Sequence, residues 1–272
     1  MTYLRSDIAS AWADRDPIDT AFALRGEVFR DVPGRKTQRV EIDGKAYFVK
    51  LHYGVGWGEV LKNWLQLKRP VIGAENEYVA CRDLLEEGIA APKPAAFAKT
   101  SGSIATQRSF VLCDELKDFT SLEDITNTWA TSPPSLSNKR ALLCAVAEFA
   151  RAFHGQGFIH RDFYICHLLA DDAALAGNVV KLAVLDLHRA RRFAQIPDRW
   201  LKRDLAALLY SVMDLDVSQN DWLRFVRIYC GRSLKEEWAA RGEFWREVFN
   251  RAQKLHSKGQ RKGLNPVGQG RQ

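Results

Sequence analysis

Two aspartates in the second half of this chain follow short patterns that are typical of reactive carboxylates. Asp162 ends the triplet His160-Arg161-Asp162 in the stretch IHRDFYICHLLADD, and Asp186 closes the apolar run KLAVLD. An aspartate in such a loop can accept the proton of an acceptor hydroxyl, and a carboxylate at the end of a buried strand can bind Mg²⁺. The pair therefore predicts phosphoryl transfer, with Asp162 as a catalytic residue and Asp186 as a metal ligand.

A lysine and a glutamate in the first half supply the remaining parts of such a site. Lys50 ends the extended run YFVK, where its amine can hold nucleotide phosphates, and Glu77 lies in the next helix, where a partner for that lysine is expected. Taken singly, each has an ordinary interpretation as a solvated surface residue. Together with the two aspartates they stand in protein-kinase order, which favours a protein-kinase-like fold.

The loop itself departs from the protein-kinase pattern. His167 stands five residues after Asp162, where a kinase has a metal-binding Asn. Because Mg²⁺ prefers oxygen ligands, we keep three interpretations of His167: a metal or phosphate ligand, a bystander to a single Mg²⁺, and a structural residue. We expect His160 to pack inside and orient the loop, and Arg161 to neutralise the base or bind substrate phosphate. Asp204 would brace the loop backbone or serve as a helix N-terminal charge.

Two further motifs differ from those of protein kinases. Asp186-Leu187-His188 replaces Asp-Phe-Gly, so we expect no flip-type activation switch. No G-x-G-x-x-G precedes Lys50. The turn DVPGRKTQ, with Arg35 and Lys36, would cover the nucleotide phosphates through its backbone N–H groups and its cations.

Hydrophobic spacing predicts a β-rich first part with one main helix and a mostly helical second part. Asp43-Gly44 between the runs TQRVEI and KAYFVKL is a hairpin signal, and AENEYVACRDLLEEG has the apolar stripe of a helix. Residues 137–155 and 220–256 are predicted to be helical. This is an α+β, bilobal layout. The N-lobe, residues 1–117, would bind the nucleotide. The C-lobe, residues 118–256, would carry the catalytic loop and the acceptor site, and residues 257–272 would form a disordered basic tail.

Positive charge is concentrated in a few segments. The chain has a net charge of +7, and residues 189–203 hold six basic residues against one aspartate. This segment lies where a kinase binds its substrate, so we expect an anionic acceptor there, with a solvated basic surface as the alternative. The basic residues of 50–69, with Trp57 and Trp64, would hold the chain on an anionic membrane surface. No nucleic-acid-binding module is recognisable, so we expect no nucleic-acid partner.

Cysteine spacing and hydropathy predict a location in the cytoplasm. The five cysteines are widely spaced and no C-x-x-C occurs, which indicates reduced thiols rather than disulfides or a zinc site. No apolar run reaches the roughly 18 residues of a transmembrane helix. The N-terminal stretch, with several acids and no apolar centre, does not resemble a signal peptide.

Three longer strings, HRDFYICHLL, VLDLHRA and YFVKLHYGVGWGE, resemble the lipopolysaccharide core heptose kinase family of the WaaP or RfaP type. In that family too the loop reads Y-I-C-H and the metal motif D-L-H. The resemblance implies a kinase that uses ATP and Mg²⁺ to phosphorylate the 4-hydroxyl of the first heptose of the lipopolysaccharide inner core. It would act peripherally on the cytoplasmic face of the inner membrane of a Gram-negative bacterium. The implied roles are base for Asp162, Mg²⁺ ligand for Asp186, phosphate ligand for Lys50 and partner of that lysine for Glu77.

Other functions remain open on the same residues. The acceptor could be another core sugar, such as Kdo or heptose II, or another small molecule. The basic segments disfavour an aminoglycoside, which would need an acidic acceptor face. A non-catalytic scaffold is disfavoured because Lys50, Glu77, Asp162 and Asp186 are all present.

Overall fold

The computed structural model of the chain describes residues 1–54, 73–102, 106–176 and 179–261. These residues form two compact units. The first contains Met1–Leu116 and the short segment Leu187–Arg189, and the second contains Lys117–Asp186 and the chain from Ala190 onward. The basic, tryptophan-containing stretch that we predicted to hold a membrane surface falls at 55–69, outside the described residues.

The first unit is built around an antiparallel sheet of six strands. Two of them pair across a two-residue turn at Asp43 and Gly44, whose φ angles are 48° and 73°. Asp-Gly tolerates this left-handed geometry, so the predicted hairpin is confirmed. In sheet order the strands are β1 (Thr2–Leu4), β5 (Pro94–Lys99), β6 (Ser109–Asp114), β4 (Lys45–His52), β3 (Arg35–Ile42) and β2 (Glu27–Val32).

Helices cover both faces of this sheet. Two N-terminal helices that we did not predict, α1 (Ser6–Trp12) and α2 (Pro17–Ala23), share one core with Val49 and Leu51 of β4. The predicted helix, α3 (Glu75–Glu86), contributes buried residues to a separate core with the sheet. Because side chains alternate along a strand, Lys50 lies on the face of β4 opposite to Val49 and Leu51.

The second unit is mostly helical, and none of the described helices is both long enough and apolar enough to cross a lipid bilayer. The ring of Phe153 lies at its centre, against the rings of Phe158 and Phe163. The helices are α4 (Leu122–Asn127), α5 (Leu136–Gly155), α6 (Asp172–Ala176), α7 (Asp198–Tyr210), α8 (Gln219–Cys230) and α9 (Leu234–Arg261). The short strands are β7 (Phe119–Ser121), β8 (Phe158–Ile159), β9 (Leu168–Asp171), β10 (Leu182–Val184) and β11 (Arg191–Arg192).

The predicted α+β architecture is confirmed, and two details of the helical part differ from the prediction. Residues 220–256 form two helices, because Gly231 has a φ of 68° and ends α8 with a left-handed residue. Helix α9 continues to Arg261, so 257–261 are helical although we predicted a disordered tail from 257. His256 bonds to Asp214 at 2.6 Å, which anchors this end of the helix. Residues 262–272 of the predicted tail lie outside the described residues.

Candidate active site

The first unit brings Lys50 and Glu77 together. The Nζ atom of Lys50 lies 2.5 Å from Oε1 of Glu77, and the two side chains are only 19% and 6% exposed. Strand β4 supplies the lysine on the face that α3 covers, and Glu77 stands in the first turn of α3. The ammonium group has three donors, so its ion pair with one carboxylate leaves it able to bind phosphate oxygens as well.

Helix α3 also holds the segment that follows Asp186. The Nδ2 group of Asn76 donates to the carbonyl oxygens of Leu187 and His188, at 3.2 and 2.9 Å. These contacts explain why Leu187–Arg189 belongs to the first unit. No sequence pattern predicts this role, because the two partners are more than 100 positions apart and Asn76 belongs to no recognisable motif.

The structure separates Arg35 from Lys36, which we predicted would act together. In the β3–β4 register Arg35 lies opposite His52, Lys36 opposite Leu51 and Thr37 opposite Lys50. Since directly opposed residues share a face and neighbours alternate, Arg35 shares the face of Lys50 and Lys36 lies on the other one. Arg35 is therefore better placed than Lys36 to bind phosphates beside Lys50, and a phosphate-binding role for either residue stays a prediction.

In the second unit, a buried carboxylate holds the catalytic loop. Asp204 of α7 is fully buried and accepts from the backbone N–H groups of His160 and Arg161, at 2.6 and 2.8 Å. Arg161 adopts a φ of 74°, a conformation that a non-glycine residue keeps only when its surroundings impose it. Asp204 stands in the middle of α7 rather than in its first turn, so it braces the loop and is not a helix N-terminal charge.

His160 is a positioning residue. Its side chain is fully buried, and its Nε2 donates to the carbonyl oxygen of Leu185 at 2.7 Å. Burial, and to a lesser extent the nearby His167, lowers the pKa of His160 to about 4. A neutral ring inside the core cannot contact substrate, so the burial of His160 supports the orienting role expected for it rather than a catalytic one.

His167 joins the backbone of the loop to the second aspartate. Its Nδ1 lies 2.8 Å from the carbonyl oxygen of Asp162, and its Nε2 lies 3.8 Å from Oδ2 of Asp186. A carbonyl only accepts hydrogen bonds, so Nδ1 carries a proton, and Nε2 lies on the side of Asp186. An Asn at this position would offer the same combination, an N–H donor and a lone pair.

The arrangement of His167 and Asp186 fits a cation. With Nε2 unprotonated, a cation beside both atoms would be stabilised by the ring nitrogen and by the carboxylate. Asp186 has a φ of 56°, so its backbone is held in a left-handed conformation. No group of three or more metal-ligating side chains occurs among the described residues. Mg²⁺ commonly takes one or two protein ligands and completes its shell with phosphates and water, so two ligands are enough.

Arg161 lies between the loop and helix α7. While its backbone N–H bonds to Asp204, its guanidinium carbon lies 5.3 Å from the ring centre of Trp200. Asp162, the next residue, is partly exposed. The second unit therefore holds a partly exposed carboxylate on a braced loop, next to a cationic side chain and beside a two-residue candidate metal site.

Comparison of the sequence with known proteins identifies close relatives. Residues 19–229 match the profile of the lipopolysaccharide kinase (Kdo/WaaP) family. Lipopolysaccharide core heptose(I) kinase WaaP of Pseudomonas aeruginosa is 41% identical, over 93% of this chain and 94% of the relative. The protein of the same name from Escherichia coli K12 is 36% identical, over 97% of this chain and 100% of the relative.

A solved structure shares the fold. The protein described as "WaaP in complex with acyl carrier protein" superposes with a TM-score of 0.81 at 35% identity, over 94% of this chain and 99% of that one. The predicted protein-kinase-like fold is confirmed. The similarity covers residues of both units.

The buried His160 predicts a specific acid sensitivity. Because its pKa is about 4 in the folded protein against an ordinary 6.5, the unfolded chain binds the proton first as the pH falls. The folded state should therefore lose stability between pH 6.5 and pH 4. The loss from this residue is about 3 kcal/mol. In the non-titrating variant His160→Gln, the free energy of unfolding in urea should fall less steeply over this range.

His256→Gln is the matched control. It also removes a histidine of the second unit, but the side chain of His256 is 18% exposed, whereas that of His160 is fully buried. Unfolding curves of both variants and the parent protein would be compared at several pH values. Equal pH slopes for His160→Gln and the parent protein would contradict the assignment of a neutral, buried His160.

Proposed function

Because the chain belongs to the lipopolysaccharide kinase (Kdo/WaaP) family, we propose that it phosphorylates the 4-hydroxyl of the first heptose of the lipopolysaccharide inner core, with ATP as donor. The observation that carries the proposal is the set Lys50, Glu77, Asp162 and Asp186, intact and locally ordered in a chain whose relatives are named heptose(I) kinases. A scaffold without activity would have no need of all four residues.

The proposed roles follow from the local geometry. Asp162, on its braced loop, orients the acceptor hydroxyl and takes its proton as the new bond to phosphorus forms. Lys50, held by Glu77, binds oxygens of the nucleotide phosphates, and Arg35 on the same face of the sheet adds a second cation. Catalysis here consists mainly of positioning and charge stabilisation, so the brace on the loop matters as much as the base.

Asp186 and His167 would hold a divalent metal ion. Their side-chain atoms lie 3.8 Å apart, and the lone pair of Nε2 is available because Nδ1 is committed to the carbonyl of Asp162. When bound, Mg²⁺ would neutralise charge on the phosphate oxygens. Asn76 keeps the residues after Asp186 in place through their carbonyl groups, which limits the freedom of the metal-binding carboxylate.

The proposed place of action is the cytoplasmic face of the inner membrane, where the chain would bind peripherally. A glycolipid acceptor requires an enzyme that works at a lipid surface. The net charge of +7 favours adsorption to anionic lipids, and the described part of the chain offers no spanning helix.

An acyl carrier protein is a proposed partner, as the solved relative was captured with one. The second unit has an apolar cavity, lined among others by Leu142, Val146 and Leu208. Val217 and Trp222 line both this cavity and a neighbouring groove of about 620 Å³. An acyl chain is the part of such a partner that an apolar cavity would bind.

The first prediction from the proposed function concerns the base and the lysine. Asp162→Asn should lower kcat by about a thousandfold, since it removes the proton acceptor, and Lys50→Met should raise the KM for ATP. Activity would be measured as ATP-dependent phosphate transfer to dephosphorylated inner-core lipopolysaccharide, with the modified position assigned by NMR.

Asp216→Asn is the control, because this carboxylate is 98% exposed and should leave activity unchanged. Near-normal activity of a folded Asp162→Asn protein would refute the role of the base. Phosphate on Kdo or on heptose II instead of the first heptose would replace the proposed acceptor with the alternative one.

The second prediction concerns metal preference. His167→Asn keeps an N–H donor for the carbonyl of Asp162 and replaces a nitrogen ligand by oxygen. Since imidazole favours Mn²⁺ over Mg²⁺ more than an amide oxygen does, the ratio of Mn²⁺-supported to Mg²⁺-supported activity should fall about threefold or more. Direct Mn²⁺ binding, by electron paramagnetic resonance with a non-hydrolysable ATP analogue, should weaken in parallel. An unchanged ratio together with unchanged Mn²⁺ affinity would show that His167 is not a ligand.

The third prediction tests the cavity. Val217→Trp should fill part of the cavity that Val217 lines, and so weaken binding of acylated carrier protein by about tenfold while leaving binding of unacylated carrier protein unaffected. Val179→Trp is the matched control, because Val179 is 64% exposed and is not among the cavity-lining residues. Binding would be measured by calorimetry. Equal affinity of Val217→Trp and the parent protein for the acylated form would exclude the cavity as the acyl-binding site.

A further inference from the structure

Three arginines surround one tryptophan next to the catalytic loop. The guanidinium carbons of Arg161, Arg199 and Arg203 lie 5.3, 5.6 and 5.8 Å from the ring centre of Trp200. Each guanidinium group is attracted to the electron-rich ring, but the three positive charges repel one another. We call these four residues the Trp200 cluster.

The helix α7 builds this cluster and the brace on the loop at the same time. Arg199 and Arg203 are four residues apart and share a face of the helix, where two like charges are destabilising. Asp204, the residue after Arg203, bonds to the N–H of Arg161 and so fixes the third arginine's backbone relative to α7. The fold therefore holds the cluster in place although its charges oppose that arrangement.

Nearby carboxylates are paired with other cations. Asp198 of the same helix binds Arg241 at 2.7 Å, and Glu247 binds Lys202 at 2.7 Å. Within the part of the chain that the structure describes, neither Arg199 nor Arg203 has a carboxylate within ion-pair distance. The charge of these two arginines is thus left for a ligand.

The chain cannot supply the missing anion by phosphorylation of this segment. The sequence from Leu187 to Arg203 is LHRARRFAQIPDRWLKR, which contains no Ser, Thr or Tyr. An anion that pairs with Arg199 or Arg203 would therefore come from another molecule. Planar guanidinium groups match carboxylate and phosphate oxygens in two-point hydrogen bonds, which makes these two groups the natural ligands.

We propose that the Trp200 cluster binds an anionic group, a carboxylate or a phosphate, of the acceptor glycolipid and so presents the acceptor hydroxyl to Asp162. The inference rests on the proposed function for the identity of the acceptor. Its structural basis is the position of Arg161, which belongs to the cluster and immediately precedes the catalytic aspartate. The cluster would thus determine specificity, since a neutral sugar at the same loop would lack this anchor.

The test compares Arg199→Met and Arg203→Met with Lys202→Met. Lys202 lies on the same helix, but its charge is already paired with Glu247, so its loss should not affect the acceptor. Each arginine variant should raise the KM for a water-soluble, deacylated inner-core acceptor about tenfold or more, with the KM for ATP unchanged. Arg203→Lys should recover only part of the loss, because lysine cannot form the two-point contact.

Binding without ATP separates this inference from the proposed function. The parent protein should bind the soluble acceptor, and should bind it about tenfold more weakly once its carboxylates are reduced and its phosphates removed. The arginine variants should not distinguish the two forms. Binding of this kind without phosphoryl transfer would refute the proposed function and leave the Trp200 cluster supported.

Three results would overturn the inference. The first is an unchanged acceptor KM, or unchanged acceptor affinity, in both arginine variants. The second is no binding of the soluble acceptor by the parent protein. The third is that the arginine variants bind phosphatidylglycerol vesicles more weakly than the parent protein does but bind the soluble acceptor normally. This result would mean that the cluster binds membrane headgroups instead.

Discussion

The buried carboxylate of Asp204 is the interaction on which the chemistry of the second unit depends. Removing a carboxylate from water costs several kcal/mol, and two charge-assisted bonds from the backbone of His160 and Arg161 offset that cost. These bonds hold Arg161 in its left-handed conformation and thereby fix the direction of Asp162. Helix α7 and the loop consequently behave as one body, although 43 or 44 residues separate the bonded partners.

The imidazole of His167 can make the contacts that an Asn would make at this position of the loop. It donates to the carbonyl of Asp162 and presents a lone pair on the side of Asp186. The ring of His160 stacks on it with centroids 5.3 Å apart. Burial is the main cause of the low pKa of His160, and the nearby imidazole of His167 lowers that pKa further, since two charged rings at this distance would repel. The loop is thus built for a histidine, and the missing Asn is not a sign of lost function.

Local patterns in the sequence predicted much of this architecture, because they depend on a few neighbouring residues. The Asp43-Gly44 turn, the helix that carries Glu77 and the strand before Asp186 are all of this kind. The face occupied by Lys36 could not be predicted, since it depends on a strand register that was unknown. The role of Asn76 and the helical structure of 257–261 depend on partners distant in the chain, which no local pattern encodes.

The basic segment before and within α7 illustrates the same limit for charge. In the sequence, Arg199, Lys202 and Arg203 are equivalent members of one cationic run. In the structure, Lys202 is paired with Glu247 of α9, while the other two lie against Trp200. Arg199 and Arg203, four residues apart, share a face of the helix, whereas the adjacent residues Lys202 and Arg203 do not face each other. Net charge therefore predicted that an anion binds, whereas only the pairing of each cation indicates which residues remain to bind it.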